Sequence, residues 1–466
     1  MGAYRDLRGQ RVVVLGLARQ GTALARWLIG QGAQVTVSDA QPAPALSAAL
    51  RSLGGLPIRF ELGGHPLSLL DECDVLCLSG GVPIDLPIVL EARRRGIPLT
   101  NDAQLFIERC PARVIGITGS AGKTTTTTLV GEMCRAAGRT TWIGGNIGNP
   151  LIGDLDSIAP SDRVVMELSS FQLELMTTSP PVAAILNITP NHLDRHPSME
   201  AYIAAKTHVI DFQSAQDAAV LGYDDPVARS LAGKVKGNLG WFAGGWSRVP
   251  HHQRNFYFAT VKDGRVVLLK DREVQVCETG DIRLRGDHNV LNVLAACALA
   301  DAAGVSPEAM RSAIVSFTGV AHRLQLVREL NGVRYFDDSI ATAPERLIAA
   351  LKAFDEPIVL LAGGRDKHLP WDDAAELIRE RTRRLVVFGE MAELVERAVK
   401  SATGAASHTL LEAVHRVETL ADAVKKAAEV ARPGDVVLLS PGGTSFDAFK
   451  DFAERGDRFQ EYVRAL

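Results

Sequence analysis

Short runs of apolar, often β-branched residues recur along the chain, and each is followed by a longer stretch of helical pattern. Residues 11–15 (Arg-Val-Val-Val-Leu), 34–38, 113–118 (Arg-Val-Ile-Gly-Ile-Thr), 164–168 (Val-Val-Met-Glu-Leu) and 183–187 are runs of the first kind. Stretches 22–30, 124–137 and 198–212 are of the second. Strands and helices alternating at this rhythm argue for parallel sheets covered on both faces, an α/β architecture. The alternation is set out three times, with a change of character at 108–113 and again at 316–323. These two segments read as linkers and divide the chain into 1–109, 110–318 and 319–466. One stretch, 241–285, breaks the rhythm: an Asp263-Gly264 turn separates 255–261 from 265–269, the mark of a β-hairpin inserted in the middle domain.

In parallel sheets ligands sit at the carboxyl ends of strands, so the turns there carry the chemistry. The first, Gly16-Leu17-Ala18-Arg19-Gln20-Gly21, nearly matches the dinucleotide fingerprint G-x-G-x-x-G, with Asp39 after the next strand where a ribose-binding acid would stand. Ala18 replaces the glycine that lets backbone approach a pyrophosphate. The turn alone leaves open a nucleotide or diphosphate at the helix N-terminus and a tight turn with no ligand.

The second turn is more specific. Gly119-Ser120-Ala121-Gly122-Lys123-Thr124 lies between a strand and a helix that opens with Thr124 and Thr125. In such a loop backbone N–H groups face phosphate oxygens, the lysine places a charge on the outer phosphates, and the Thr124 hydroxyl can ligate Mg²⁺. Ile117 stands where the strict pattern has glycine, so this is a variant phosphate loop, and it predicts ATP binding. Glu167 interrupts an apolar run at its carboxyl end, where a hard cation beside the phosphates wants oxygen, and is the first metal candidate. His192 and His196 are four apart, but Pro190 and Pro197 bracket them in irregular backbone, which argues against a zinc pair on a helix. Whether either serves the ATP site stays open at this level. Lys206 follows on the next helix.

Composition narrows the choice without changing it. The chain has 466 residues, with 51 Lys plus Arg against 54 Asp plus Glu, a net charge of −3. That balance lacks the excess of positive charge that coats a phosphate backbone, so no nucleic-acid partner is expected. The opening residues lack the apolar core of a signal peptide, Asp6 spoils a myristoylation pattern, and 290–300 is too short to span a bilayer, so a cytoplasmic protein with no membrane insertion is expected. Six scattered cysteines with no C-x-x-C pair predict neither disulfides nor a structural zinc site.

Taken in order, Gly116–Thr124, Glu167-Leu168-Ser169-Ser170-Phe171-Gln172-Leu173, Asn191-His192-Leu193-Asp194-Arg195-His196 and Asp287-His288-Asn289-Val290-Leu291-Asn292 resemble the successive motifs of the Mur ligases. These are three-domain, ATP-dependent amide ligases of peptidoglycan synthesis. The resemblance implies a Rossmann-like first domain, a central P-loop-type ATPase domain with a mostly parallel sheet, and a Rossmann-like third domain. Glu167–Leu173 in particular resembles the glutamate-adding branch, which implies D-glutamate and UDP-N-acetylmuramoyl-L-alanine as substrates and an acyl phosphate made from ATP. It further implies one Mg²⁺ on Thr124 and Glu167 and a second near His192 and a carbamylated Lys206. Lys123, Glu167, His192 and Lys206 would be the catalytic set. Gly119 to Thr125, Asn292, Arg323 and Asp338 would hold ATP. Arg19, Gln20, Asp39, Ser79, Gly81, Asn146 and His192 would hold the UDP-sugar, and Thr342, Lys367, Ser445 and Phe452 the incoming amino acid. A monomer is expected.

Three segments depart from the family pattern. Ile340 stands where many glutamate-adding members carry lysine, Ser440-Pro441-Gly442-Gly443 replaces the more usual Ser-Pro-Ala-Cys, and Ser79-Gly80-Gly81 replaces Ser-Pro-Gly. An L-glutamate-adding relative, or another Mur ligase, is therefore the alternative within the class. A P-loop hydrolase or switch without ligase activity is the alternative outside it. A nicotinamide oxidoreductase leaves Gly122-Lys123-Thr124 and Glu167 without a role.

Overall fold

The computed structural model describes residues 6–191, 195–245, 257–284, 286–367, 369–402 and 409–466. The chain forms two compact units, Met1–Phe317 and Thr318–Leu466. Both are α/β.

The first unit holds two sheets. The smaller has the strand order Ile58–Leu62, Gln34–Asp39, Arg11–Leu15, Val75–Leu78, Leu99–Thr100, parallel throughout. The larger runs Glu273–Glu278, Arg265–Leu269, Tyr257–Lys262, Asn238–Ala243, Ala218–Gly222, Val182–Ile185, Arg113–Thr118, Arg163–Glu167, Thr141–Gly145. Only its first three strands pair antiparallel. The expected hairpin at Asp263-Gly264 is thus two-thirds of a meander that extends the parallel sheet, joined to it through Tyr257–Lys262 on Asn238–Ala243. Asn255 and Phe256 of that prediction, like Arg285, lie outside the described residues.

The first linker, 108–113, falls between these two sheets. One apolar cluster nonetheless runs across it, from Val14, Leu24, Trp27 and Phe106 of the smaller layer to Leu151, Ile152, Leu168 and Met176 of the larger. Burial of continuous apolar surface is non-directional, so it welds neighbouring layers into one body.

Helix boundaries follow their caps. The predicted helix 198–212 spans Met199–Asp211, because Ser198 stays extended and its hydroxyl accepts from Ala201 N as the N-cap. The predicted helix 22–30 begins earlier, at Arg19, and runs to Gly30. Gly21 explains the tightness of that turn: a Cβ there would lie 1.8 Å from the Gly16 carbonyl oxygen.

The second unit is one six-stranded sheet in the order Gln325–Leu330, Val333–Asp337, Val436–Gly442, Ile358–Gly363, Thr382–Phe388, Ala413–Arg416, with the first pair antiparallel and the rest parallel. Apolar clusters cover both faces, one around Leu360, Leu385 and Leu438 and the other around Leu361, Val386 and Leu439. Their neighbours along each strand alternate between the two, as the pleat requires. Among the described residues no helix is long and apolar enough to cross a membrane.

Candidate functional site

The strand Arg113–Thr118 lies between Val182–Ile185 and Arg163–Glu167, so three carboxyl ends open side by side. From the first grows the loop Gly119 to Gly122, and the helix Lys123–Ala136 follows. Gly122 has φ +82°, and a Cβ on it would meet Asn292 Oδ1 at 2.2 Å. Only glycine therefore fits, and Asn292, from the helix Asp287–Ala302, is pressed against the loop. Asn292 Nδ2 donates to Asn289 Oδ1 at 3.0 Å.

Three predicted residues converge at the neighbouring strand end. Thr124 Oγ1 donates to Glu167 Oε2 at 2.8 Å, and Asn146 Nδ2 donates to Glu167 Oε1 at 2.9 Å. Glu167 is only 2% exposed. Among the described residues no three His, Cys, Asp or Glu side chains gather as a ready-made metal site. A hydroxyl and a buried carboxylate in contact fit a hard cation that takes its remaining ligands from phosphate and water.

Lys123 Nζ folds back on the loop, donating to the carbonyls of Gly119 at 2.8 Å and Ser120 at 3.3 Å. Lys206, 1% exposed, reaches the same loop from the helix Met199–Asp211. Its Nζ donates to Gly119 O at 2.9 Å and Thr118 Oγ1 at 3.3 Å, and it lies 4.7 Å from the centre of the Tyr202 ring. Burial, and then the charge of Lys123, pull its pKa down to about 7, with Glu167 resisting. An amine in this state is neutral part of the time and able to act as a nucleophile.

The two histidines part company. His192 lies outside the described residues. His196 is buried, its Nε2 3.0 Å from Ser170 Oγ and its ring stacked on Phe171 at 5.3 Å, and so serves the packing of the turn after Glu167. Ser120, whose hydroxyl lies 3.0 Å from Tyr202 Oη, links the loop to the helix bearing Lys206.

Around the first glycine turn, Asp39 Oδ2 accepts from Leu17 N at 2.6 Å, and Gln20 Oε1 accepts from Gly80 N at 3.2 Å. Ser79 is buried at its strand end, Arg19 is exposed, and the Gly81 carbonyl accepts from Arg195 Nη2 at 3.2 Å. The predicted UDP-sugar residues Arg19, Gln20, Asp39, Ser79 and Gly81 therefore lie on the turns at the carboxyl ends of adjacent strands.

The second unit has its own cluster. Asp338 follows the strand Val333–Asp337 and accepts from Ser440 Oγ at 2.9 Å and Leu324 N at 3.2 Å, next to exposed Arg323. Burial pushes its pKa up to about 7, against the pull of those hydrogen bonds and of Arg323. Lys367 Nζ donates to Thr342 Oγ1 at 3.2 Å, joining two predicted amino-acid contacts, and burial followed by the nearby charge of Arg346 lowers the Lys367 pKa. Ser445 is buried, while Phe452 contributes its carbonyl to Ser339 Oγ at 2.7 Å.

Sequence reasoning missed Arg455. Its guanidinium, 0% exposed, donates to Ser339 Oγ at 3.0 Å, Ser339 O at 2.9 Å and Gly443 O at 3.1 Å, tying together the loops that carry Asp338 and Ser445. The signal was there: Arg455 shares a helical face with Gly456, Phe459 and Val463, where a charge needs a reason.

Three family models cover most of the chain. The Mur ligase MurD-like N-terminal domain matches residues 10–101, the Mur ligase middle domain 117–300, and the Mur ligase glutamate ligase domain 322–443. A protein of Acetivibrio thermocellus named UDP-N-acetylmuramoylalanine–D-glutamate ligase is 40% identical over 99% of this chain and 98% of its own. One of Symbiobacterium thermophilum with the same name is 42% identical over 98% of both. In fold, the chain resembles the UDP-N-acetylmuramate-alanine ligase of Thermotoga maritima (TM-score 0.53, 20% identity, 98% of this chain and 99% of that one) and MurF of Acinetobacter baumannii (TM-score 0.54, 19% identity, 99% and 93%). With identity at this level over nearly its whole length, the chain belongs to the Mur ligase family.

Proposed function

We propose that this protein joins D-glutamate to UDP-N-acetylmuramoyl-L-alanine at the expense of ATP, as a cytoplasmic monomer with three functional parts, 1–109, 110–318 and 319–466. The observation that carries the reading is the contact of Thr124 with Glu167 beside a phosphate loop flanked by two lysines. Full-length relatives named for D-glutamate addition supply the substrates.

The chemistry explains the residues. A carboxylate is a poor electrophile, so its oxygen first attacks the γ-phosphorus of ATP, giving an acyl phosphate and ADP. The amino nitrogen of glutamate then attacks the acyl carbon, and phosphate leaves as the amide forms. Lys123 would spread the charge that builds on the transferred phosphoryl group. Thr124 and Glu167 would hold one Mg²⁺, and Lys206 would help hold a second once carbon dioxide has converted its neutral amine to a carbamate. Bound there, the metal ions would neutralise phosphate charge. In the second unit Lys367 and Thr342 offer a cation and a hydroxyl to a carboxylate of the amino acid, while Arg323 and Asp338 would hold ATP.

The test supplies UDP-N-acetylmuramoyl-L-alanine and ATP-Mg with D-glutamate or L-glutamate in parallel, following phosphate release and product mass. Phosphate and a product enlarged by one glutamate residue should form with the D-isomer only. Phosphate release with no amino acid present would point to a simple hydrolase, and product from L-glutamate to the L-adding relative.

A further inference from the structure

One side chain grips the phosphate loop and has no part in the reaction above. Beyond the strand Val182–Ile185 the chain continues alongside the loop, with Leu186 N donating to Thr118 O at 2.9 Å and Ser120 N to Asn187 O at 2.9 Å. The Asn187 carboxamide then takes both polar groups of one residue: Oδ1 accepts from Ala121 N at 2.8 Å, and Nδ2 donates to Ala121 O at 3.2 Å. Two further bonds close the seam, Ser120 Oγ to Thr189 O at 2.9 Å and Thr189 N to Ser120 Oγ at 3.0 Å.

The Ala121 N–H belongs to the peptide plane before that residue and its carbonyl to the plane after it. Asn187 therefore fixes both planes at once, where backbone pairing between strands has ended. In a trans peptide the N–H points opposite to the C=O. Holding the Ala121 carbonyl on Asn187 thus directs the Gly122 N–H away from Asn187. Without that hold, the plane between Ala121 and Gly122 is the one most free to turn over, because it ends on a glycine at φ +82°.

We infer that Asn187 is a positioning residue for the phosphate loop, its carboxamide clamping the two peptide planes that flank Ala121 so that phosphate meets donors already aimed. Preformed donors bind without the cost of ordering them, and the clamp should therefore act on nucleotide affinity more than on stability. The inference rests on the ATP reading above.

Its test measures binding of the non-hydrolysable analogue adenylyl imidodiphosphate with Mg²⁺ by titration calorimetry, along with KM for each substrate, for wild type, Asn187→Leu and Asn187→Ser. The leucine variant keeps the branched shape and loses both bonds, so affinity should fall about tenfold or more. KM for ATP should rise with it while KM for the UDP-sugar stays within about twofold, and Asn187→Ser, which can restore one bond, should fall between. A folded Asn187→Leu that binds the analogue as wild type does would overturn the inference and leave the ligase reading standing. If the leucine variant does not fold, a serine variant with unaltered affinity has the same force. Wild type that binds no nucleotide would overturn both.

Discussion

Among the described residues, each unit buries one large cation with no carboxylate hydrogen-bonded to it, and the two are handled differently. Lys206 in the first unit and Arg455 in the second both donate to a backbone carbonyl and a hydroxyl. Burial lowers the pKa of both, but Lys206 comes down to about 7 and Arg455 only to about 10. One cation stands at the edge of losing its proton. The other stays charged at any physiological pH, helped by the more distant charges of Asp447 and Asp337. A buried lysine can change state and so enter chemistry, whereas a buried arginine, with its rigid fork of donors, is an architectural part. The first belongs where phosphate is handled, and the second where loops must be held still.

The largest expected effect breaks this contrast at Lys206. Lys206→Arg keeps a positive charge but removes the option of neutrality, and Lys206→Met keeps much of the volume without the amine. Both should reduce turnover by about a thousandfold or more while the protein stays folded. Lys206→Ala should recover part of its rate when small carboxylates are added, since they can supply the oxygen a carbamate would provide. Near-normal turnover in Lys206→Arg would show that the residue acts only as a fixed charge. Glu167→Gln, which leaves Thr124 facing an amide, should match the loss and weaken the response of the rate to Mg²⁺.

Next in size is Arg455. Arg455→Met strands the carbonyls of Ser339 and Gly443 and should lower stability by about 3 kcal/mol or more, read by denaturant unfolding. Arg455→Lys should recover only part, because a single ammonium cannot reproduce the fork. If the two loops also place Ser445 and Asp338, KM for the amino acid should rise in Arg455→Lys with kcat less affected. A variant that loses stability with unchanged KM would confine Arg455 to packing.

The same contrast explains what could be read from sequence. The phosphate loop and Glu167 were legible because each is a local departure from its surroundings: glycines between a strand and a helix, and one carboxylate in an apolar strand. Lys206 drew notice only through the resemblance to the Mur ligases. Asn187 was passed over as the last residue of a strand, since its importance arises only when Val182–Ile185 is placed beside Arg113–Thr118. Arg455 escaped for a related reason. Its partners are 116 and 12 residues away, and no local pattern brings them together. The sheet of the second unit was foreseen as an alternation of strands and helices. Its strand order was not, because the insertion of Val436–Gly442 between Val333–Asp337 and Ile358–Gly363 depends on long-range pairing.

The smallest effect concerns groups of the second unit that change charge near neutrality. Asp338 is one group that should do so. Its pKa is raised to about 7, chiefly by burial, so the folded chain holds this proton more tightly than the unfolded chain does. Stability is therefore favoured at low pH and declines as pH rises from the ordinary carboxyl range near 4 to about 7, beyond which the whole penalty remains. Asp338→Asn cannot ionise and can still accept from Leu324 N, while the Ser440 hydroxyl can turn to accept from its amide. The variant should melt about 2–4 °C above wild type at pH 8 and show little difference near pH 4. An equal shift at both pH values would mean that the gain comes from packing and that Asp338 keeps its charge throughout. A stabilised variant with a raised KM for ATP would show that the wild-type chain tolerates an unfavourable carboxylate in exchange for a contact to the nucleotide.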